Sequence, residues 1–190
     1  MASKKIISQD LVYNGHFKVR KYEIENEGGQ REVNECFERG ESVAAVIYDT
    51  DKQKFIFTKQ FRIGAKDDLI EIVAGSMDKE NEIPIQALVR EIKEELGYKA
   101  DVYSIQHIAS VYVSPGGTSE KVHLYFVSVN TKISNGGGLE GEDITLIEKT
   151  PLEIVDLNQY DDAKTLIGIQ WTLSKMKEGT LQEYILPHNL

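Results

Sequence analysis

The chain has 190 residues, with 22 Lys+Arg against 31 Asp+Glu for a formal net charge of −9, and 41 % of it is hydrophobic; such a chain buries a core without disulfides or a structural metal. Its acidity disfavours nucleic acid and anionic lipid as partners, and no apolar run approaches the roughly 20 residues that cross a bilayer. The single cysteine, Cys36, and a start (Met1 to Ser8) with basic residues but no long apolar segment lead us to expect a soluble, cytoplasmic protein without a secretory leader.

No repeat or low-complexity tract divides the sequence. His16 to Ile24 alternates apolar and polar residues, and Glu25-Asn26-Glu27-Gly28-Gly29 supplies a turn before a second extended stretch, Arg31 to Phe37. Ser42 to Tyr48 is a nearly continuous apolar run, as in a buried strand, and the polar turn Asp51–Lys54 makes it a hairpin with Phe55–Thr58. Leu69 to Val73 is another short strand. The period then changes: Ile85, Leu88, Val89, Ile92 and Leu96 form one helical stripe from Pro84 to Leu96, with Pro84 suited to the first turn and Gly97 to the position past the end. Strands are expected again at Val102–Ile105, Ile108–Val113, Val122–Val129 and Ile144–Ile147, interrupted by the Gly-rich loop Asn135–Gly138. A second long helix fits Asp161 to Met176, and a short one fits Pro151 to Leu157. The pattern is that of an α/β fold with a mixed sheet rather than regular βαβ units.

The first helix also carries Glu91, Glu94 and Glu95, which share one face at about 100° per residue. These like charges repel, and they lie near the helix C-terminus, where the macrodipole favours cations. A solvated surface cluster would intersperse Lys at i,i+4, whereas here only Lys93 intervenes, on the opposite face. A bound Mg²⁺, which prefers carboxylate oxygens, would relieve both penalties.

Gly75-Ser-Met-Asp-Lys-Glu-Asn-Glu82, followed by Arg90-Glu91-Ile92-Lys93-Glu94-Glu95-Leu96-Gly97-Tyr98, resembles the Nudix box: GxxxxxE, seven residues, then REUxEExGU with U apolar. One departure is present, six residues rather than five between Gly75 and Glu82. The resemblance implies a mixed-sheet α/β/α sandwich with an N-terminal antiparallel β extension. It implies that Glu91, Glu94 and Glu95 bind Mg²⁺ or Mn²⁺, with the backbone carbonyl of Ala74 completing the shell and Glu94 also serving as a catalytic carboxylate. Glu82 and Arg90 are expected to pair and brace the loop against the helix. The implied chemistry is metal-dependent hydrolysis of a nucleoside diphosphate linked to another group.

Gln60-Phe61-Arg62, Glu71-Ile72-Val73-Ala74-Gly75, the stretch from Ser114 to Glu120 and the stretch from Gly138 to Ile144 resemble the ADP-ribose and nucleotide-sugar pyrophosphatase branch. Together with Glu38-Arg39-Gly40, that resemblance covers about residues 14 to 150. It implies that Arg62 contacts substrate phosphate, and that Ser114, Gly116 and Gly117 offer backbone N–H groups beside the diphosphate. It also implies that Glu140, or failing it Glu142, acts as general base from a mobile Gly-rich loop. His16 stands at a base-stacking aromatic position and Asn34 where an arginine is expected five residues before Arg39, which leaves adenine and guanine as rivals. His107, His123 and His188 are scattered without zinc spacing. Cys36 fits a packed strand residue, and Trp171 a core or dimer contact.

The expectation is therefore a Mg²⁺-dependent pyrophosphatase acting on ADP-ribose or a related nucleoside diphosphate sugar. Residues 1–40 would form an N-terminal β region for dimerisation and base binding, and residues 41–190 the hydrolase domain. A GDP-mannose pyrophosphatase with the same residues is the enzymatic rival. A homodimer without nucleic-acid or membrane partners is expected. A non-hydrolytic regulator that binds nucleotide sugars is disfavoured by the complete REUxEE half and by a stretch after Thr150 too short for a winged-helix domain.

Overall fold

Three antiparallel strands lead the chain in the computed structural model, which describes residues 4–138, 141 and 143–185. They are β1 (Lys5–Asn14), β2 (Lys18–Glu25) and β3 (Arg31–Glu38), in the order β1-β2-β3. With Tyr112–Lys121 they make one of two compact units, the other being Ser42–Val111 with the chain from Val122 onward. The β2–β3 turn is held by the Asn26 carboxamide oxygen, which accepts from the amides of Gly28 and Gln30 at 2.9 and 3.1 Å. Cross-strand ion pairs, Arg20 to Glu38 at 2.7 Å and Arg31 to Glu25 at 3.0 Å, fix the β2–β3 register. The loop Tyr112–Lys121 docks on β3: the Phe37 amide donates to the Gly117 carbonyl at 2.8 Å, and the Ser119 amide donates to the Phe37 carbonyl at 3.1 Å.

The periodicity did not announce β1. Its register slips between Ile6 and Ser8 and again between Leu11 and Tyr13, so the alternation that marks a strand is broken twice within ten residues.

In the second unit a central sheet runs β12-β5-β4-β10-β9. Its strands are β4 (Glu41–Asp49), β5 (Lys54–Arg62), β9 (Ile105–Tyr112), β10 (Lys121–Val129) and β12 (Thr145–Lys149). Two short strands, β6 (Asp67–Glu71) and β7 (Val73–Ser76), behave as one strand broken at Ile72. β6 pairs with the far half of β5, and β7 crosses to pair Val73–Ser76 with Ala45–Ser42 of β4. At the break, the Ile72 amide donates to Thr165 Oγ1 at 3.0 Å instead of joining the ladder. A two-residue ladder joins β8 (Tyr98–Lys99) to β11 (Thr131–Lys132).

Helices cover both faces of the sheet. Val43, Ala45 and Ile47 of β4 pack in one core with Ala87 and Leu88 of α1 (Pro84–Glu91) and with Ile92 and Leu96 just beyond it. The opposite face takes α2 (Ala163–Glu178), where Gly168 lies so close that a Cβ would stand 2.7 Å from Val46 Cγ2. Trp171 of α2 meets the rings of Phe126 and Tyr184, the latter in the short α3 (Gln182–Ile185). This is the expected α/β/α sandwich with an N-terminal antiparallel extension.

Three expected elements differ. The helical stripe from Pro84 to Leu96 is one helix only to Glu91, and Ile92–Leu96 is a π-helical turn ended by Gly97 at φ 74°. Val102–Ser104 is a 3₁₀ turn, because the Asp101 carboxylate caps it by accepting from the Tyr103 amide, and the strand begins at Ile105. Pro151 to Leu157 resolves into 3₁₀ turns at Glu153–Val155 and Leu157–Gln159. Among the described residues, no helix is long and apolar enough to cross a membrane.

Candidate active site

α1 begins where Pro84 occupies the first turn and the Ile83 amide donates to the Gln86 side chain at 3.3 Å. The helix then runs under β7 and delivers Glu91, Glu94 and Glu95 to one place. With Gln60, Arg62, Ala74, Gly75, Ser76, Asp78 and Arg90 they line a cavity of about 270 Å³. The strand passes so close that a Cβ on Gly75 would stand 1.9 Å from Glu91 Cδ, so a larger residue there would have to push the Glu91 side chain out of its place. The expected group of Arg62, Ala74, Glu91, Glu94 and Glu95 is thus brought together.

Glu91 and Glu95 are buried, at 9 % and 6 % exposure. Three carboxylates at such a spot offer hard oxygen donors and no sulfur or imidazole, a donor set that fits Mg²⁺ or Mn²⁺. Among the described residues, no group of three or more His, Cys, Asp or Glu side chains is closed up as a ready-made metal shell. The cation present among them is Arg90. Its Nε and Nη2 donate to the two oxygens of Glu82, both at 3.0 Å, as the expected brace. Its Nη1 reaches Glu91 Oε1 at 2.5 Å and Glu94 Oε2 at 3.2 Å, and Nη2 also donates to the Ser76 carbonyl. The bidentate pair holds the Glu82 carboxyl below the usual carboxylate range and raises the Arg90 guanidinium.

Arg62 enters the cavity from the end of β5. Its Nε donates to Glu71 Oε2 at 2.6 Å, and Lys164 Nζ takes the other oxygen of Glu71 at 2.7 Å. The Glu71 side chain is only 4 % exposed. Lys164 also pairs with Asp162, which caps α2 by accepting from the Thr165 amide. This ion network was not anticipated. Glu71 lies within a quoted motif, but its partner Lys164 is 93 residues away and nothing in local spacing links them.

The Gly-rich loop ties to the π-turn. The amides of Gly137 and Gly138 donate to the carbonyls of Glu95 and Glu94 at 2.7 and 3.1 Å. A Cβ on Gly136, at φ 70°, would stand 2.4 Å from the Glu95 carbonyl oxygen. The carbonyls that accept from the loop amides therefore belong to Glu94 and Glu95, whose side chains line the cavity. Glu140 and Glu142 lie outside the described residues.

The remaining expected residues belong to the first unit. His16 meets the Phe17 ring edge-on at 4.4 Å, and the Arg39 guanidinium lies 4.6 Å over that same ring. Arg39 also pairs with Glu120 at 3.5 Å. Asn34 is exposed on β3 opposite Tyr22. Ser114 closes a turn in which its carbonyl accepts from the amides of Gly117 and Thr118 at 3.2 and 3.0 Å. Gly117 therefore does not leave its N–H open as expected, because the turn itself uses it. Of the scattered histidines, His107 and His123 share Ser110 Oγ at 3.0 and 2.8 Å on β9 and β10.

A family model described as the NUDIX domain matches residues 38–169. A GDP-mannose pyrophosphatase of Salmonella arizonae is 30 % identical, covering 87 % of this chain and 93 % of that protein. One of Escherichia coli is 28 % identical with the same coverage. A crystal structure of an ADP compounds hydrolase superposes with a TM-score of 0.78 over 94 % of this chain and 96 % of that one. At 19 % identity, that likeness is one of fold. The glutamate-lined cavity beneath a close-approaching glycine thus sits in a chain that belongs to the Nudix family of hydrolases.

Proposed function

We propose that this chain hydrolyses the diphosphate bond of a nucleoside diphosphate sugar, giving a nucleoside monophosphate and a sugar phosphate. The observation that carries the reading is the cavity lined by Arg62, Ala74, Glu91, Glu94 and Glu95. ADP-ribose and GDP-mannose are the two substrates to compare, the second supported by relatives named as GDP-mannose pyrophosphatases. Glu91, Glu94 and Glu95, with the Ala74 carbonyl, would hold Mg²⁺ or Mn²⁺, which when bound supplies charge neutralisation at the diphosphate and activation of water.

The protein's own groups then have distinct tasks. Arg62, whose Nε is held by Glu71, presents a planar donor to a phosphate oxygen. Glu140 takes a proton from the attacking water, with Glu142 the alternative. As the new P–O bond forms the anhydride P–O bond breaks, and its electron pair leaves with the departing phosphate. Within the first unit, His16, Asn34 and Arg39 are the residues assigned to the base, and the Ser114–Gly117 turn is assigned to substrate binding. The fully exposed β1, with Ile6, Val12 and Tyr13 at 59, 52 and 60 % exposure, is the surface for a second copy. A lone thiol suits a reducing, cytoplasmic setting.

The test is a panel of GDP-mannose, ADP-ribose, UDP-glucose and NADH, with products identified and kcat/KM compared. GDP-mannose or ADP-ribose should lead. Equal, negligible turnover of all four in Mg²⁺ would refute the reading. For the base, Glu140→Gln should lower kcat by about two decades or more, and such a loss in Glu142→Gln alone would move the role.

A further inference from the structure

The family resemblance gives Arg90 a bracing role, yet its guanidinium reaches well beyond Glu82. One edge, Nε and Nη2, is locked to both oxygens of Glu82. The remaining nitrogen, Nη1, lies between Glu91 Oε1 and Glu94 Oε2 at 2.5 and 3.2 Å. Those two carboxylates are among the residues proposed above to hold the metal. The Arg90 side chain is 16 % exposed, with Glu82 at 9 %, Glu91 at 11 % and Glu94 at 27 %. Glu82, Glu91 and Glu94 are thus gathered around Arg90, with Asp78 3.7 Å from Nη2, and Asp78, Glu91, Glu94 and the buried Glu95 line one cavity. Without a cation their mutual repulsion in a poorly solvated pocket would oppose folding.

We propose that Arg90 is a resident cation that occupies the glutamate cluster until a metal arrives, so that it stabilises the metal-free protein and weakens the site's affinity for the metal. This rests on the metal-site reading above. The division of the guanidinium into two edges makes the exchange local. Binding of a divalent cation by Glu91 and Glu94 would require only Nη1 of Arg90 to give way, while its two bonds to Glu82 would keep the loop braced. Arg90 therefore serves both states, as a counter-ion in one and a brace in the other. A purely bracing arginine makes the opposite prediction. Its loss would disorder the ligands and weaken metal binding, as loss of residues that orient ligands does, by about 10- to 100-fold.

The two roles separate in a Mg²⁺ titration of wild type, Arg90→Gln and Glu82→Gln, read by calorimetry and by Tm with and without Mg²⁺. Arg90→Gln is expected to bind Mg²⁺ at least about threefold more tightly than wild type, since a competing positive charge is gone. Its Tm should fall in metal-free buffer and recover most of the loss at saturating Mg²⁺. Glu82→Gln, which removes the brace and keeps the resident charge, should show no tightening. If Arg90→Gln is unfolded without metal, refolding on Mg²⁺ addition supports the proposal, and failure to refold overturns it. Unchanged or weaker Mg²⁺ binding in Arg90→Gln also overturns it. Wild type that binds no Mg²⁺ would instead overturn the metal-site reading on which it stands.

Discussion

Glu95 sits at 6 % exposure on the π-turn, one side chain among the cavity's three ligand candidates. Glu95→Gln keeps the shape and removes a charge, so the protein should fold with near-wild-type circular dichroism and lose Mg²⁺-dependent hydrolysis by about three decades. Glu71 makes a different prediction because its role is to balance charge. It is 3 % exposed and lies between Arg62 and Lys164. Glu71→Ala would release Arg62, which is 38 % exposed, and leave Lys164 only its pair with Asp162, so it should cost about 1–2 kcal/mol of stability, read by urea unfolding. The carboxylate triad was legible because Glu91, Glu94 and Glu95 share one face with no lysine on it, whereas the compensating charge that Arg90 supplies to Glu91 and Glu94 was overlooked. The charge network behind Arg62 was not legible, because Glu71 and Lys164 meet only after the chain has folded.

At the scale of elements, local chemistry marked most boundaries. Pro84 and Gly97 bracketed the helical segment, and the apolar run Ser42–Tyr48 is the strand buried between two helices. What stayed hidden depends on geometry that periodicity cannot express. A π-turn uses the same apolar residues as an α-helix, yet it presents the Glu94 and Glu95 carbonyls to the Gly-rich loop. β1 was hidden by two bulges. The loop junction is directly testable. Gly136→Ala places a Cβ against the Glu95 carbonyl in a left-handed backbone, so the loop must move, and kcat should drop about tenfold or more with a lowered Tm. On the other face of the sheet, Gly168→Val would collide with Val46 and should destabilise by about 1–3 kcal/mol in thermal or urea unfolding without a change in KM.

Over the whole molecule, the charge of −9 resolves into two kinds of carboxylate. Some gather at the cavity, where the proposed divalent cation would let an acidic protein accept an anionic substrate. Others are paired with Arg or Lys, from the exposed Glu178 to the largely buried Glu82. Glu38 beside Arg20, Glu82 beside Arg90, Glu148 beside Lys52 and Lys54, and Glu178 beside Lys175 are all held below the ordinary carboxylate value of 4.5. A carboxylate lowered on folding stabilises the native state above its unfolded pKa and loses that contribution as the pH falls through the folded value. Tm should therefore hold near neutrality and fall progressively below about pH 4.5, less steeply in high salt, where exposed pairs are already screened. A Tm that rises on acidification would contradict these pairings. Light scattering tests the role assigned to β1: twice the chain mass is expected, reduced to one by Val12→Glu.

The central claim is that the glutamate-lined cavity is a metal-dependent pyrophosphatase site. The most direct measurement is ³¹P NMR of GDP-mannose and of ADP-ribose incubated with the protein and Mg²⁺, alongside Glu95→Gln. Wild type should convert at least one substrate to a nucleoside monophosphate and a sugar phosphate, dependent on Mg²⁺, while Glu95→Gln leaves it intact. Intact substrate with wild type, or equal turnover by Glu95→Gln, would contradict the claim.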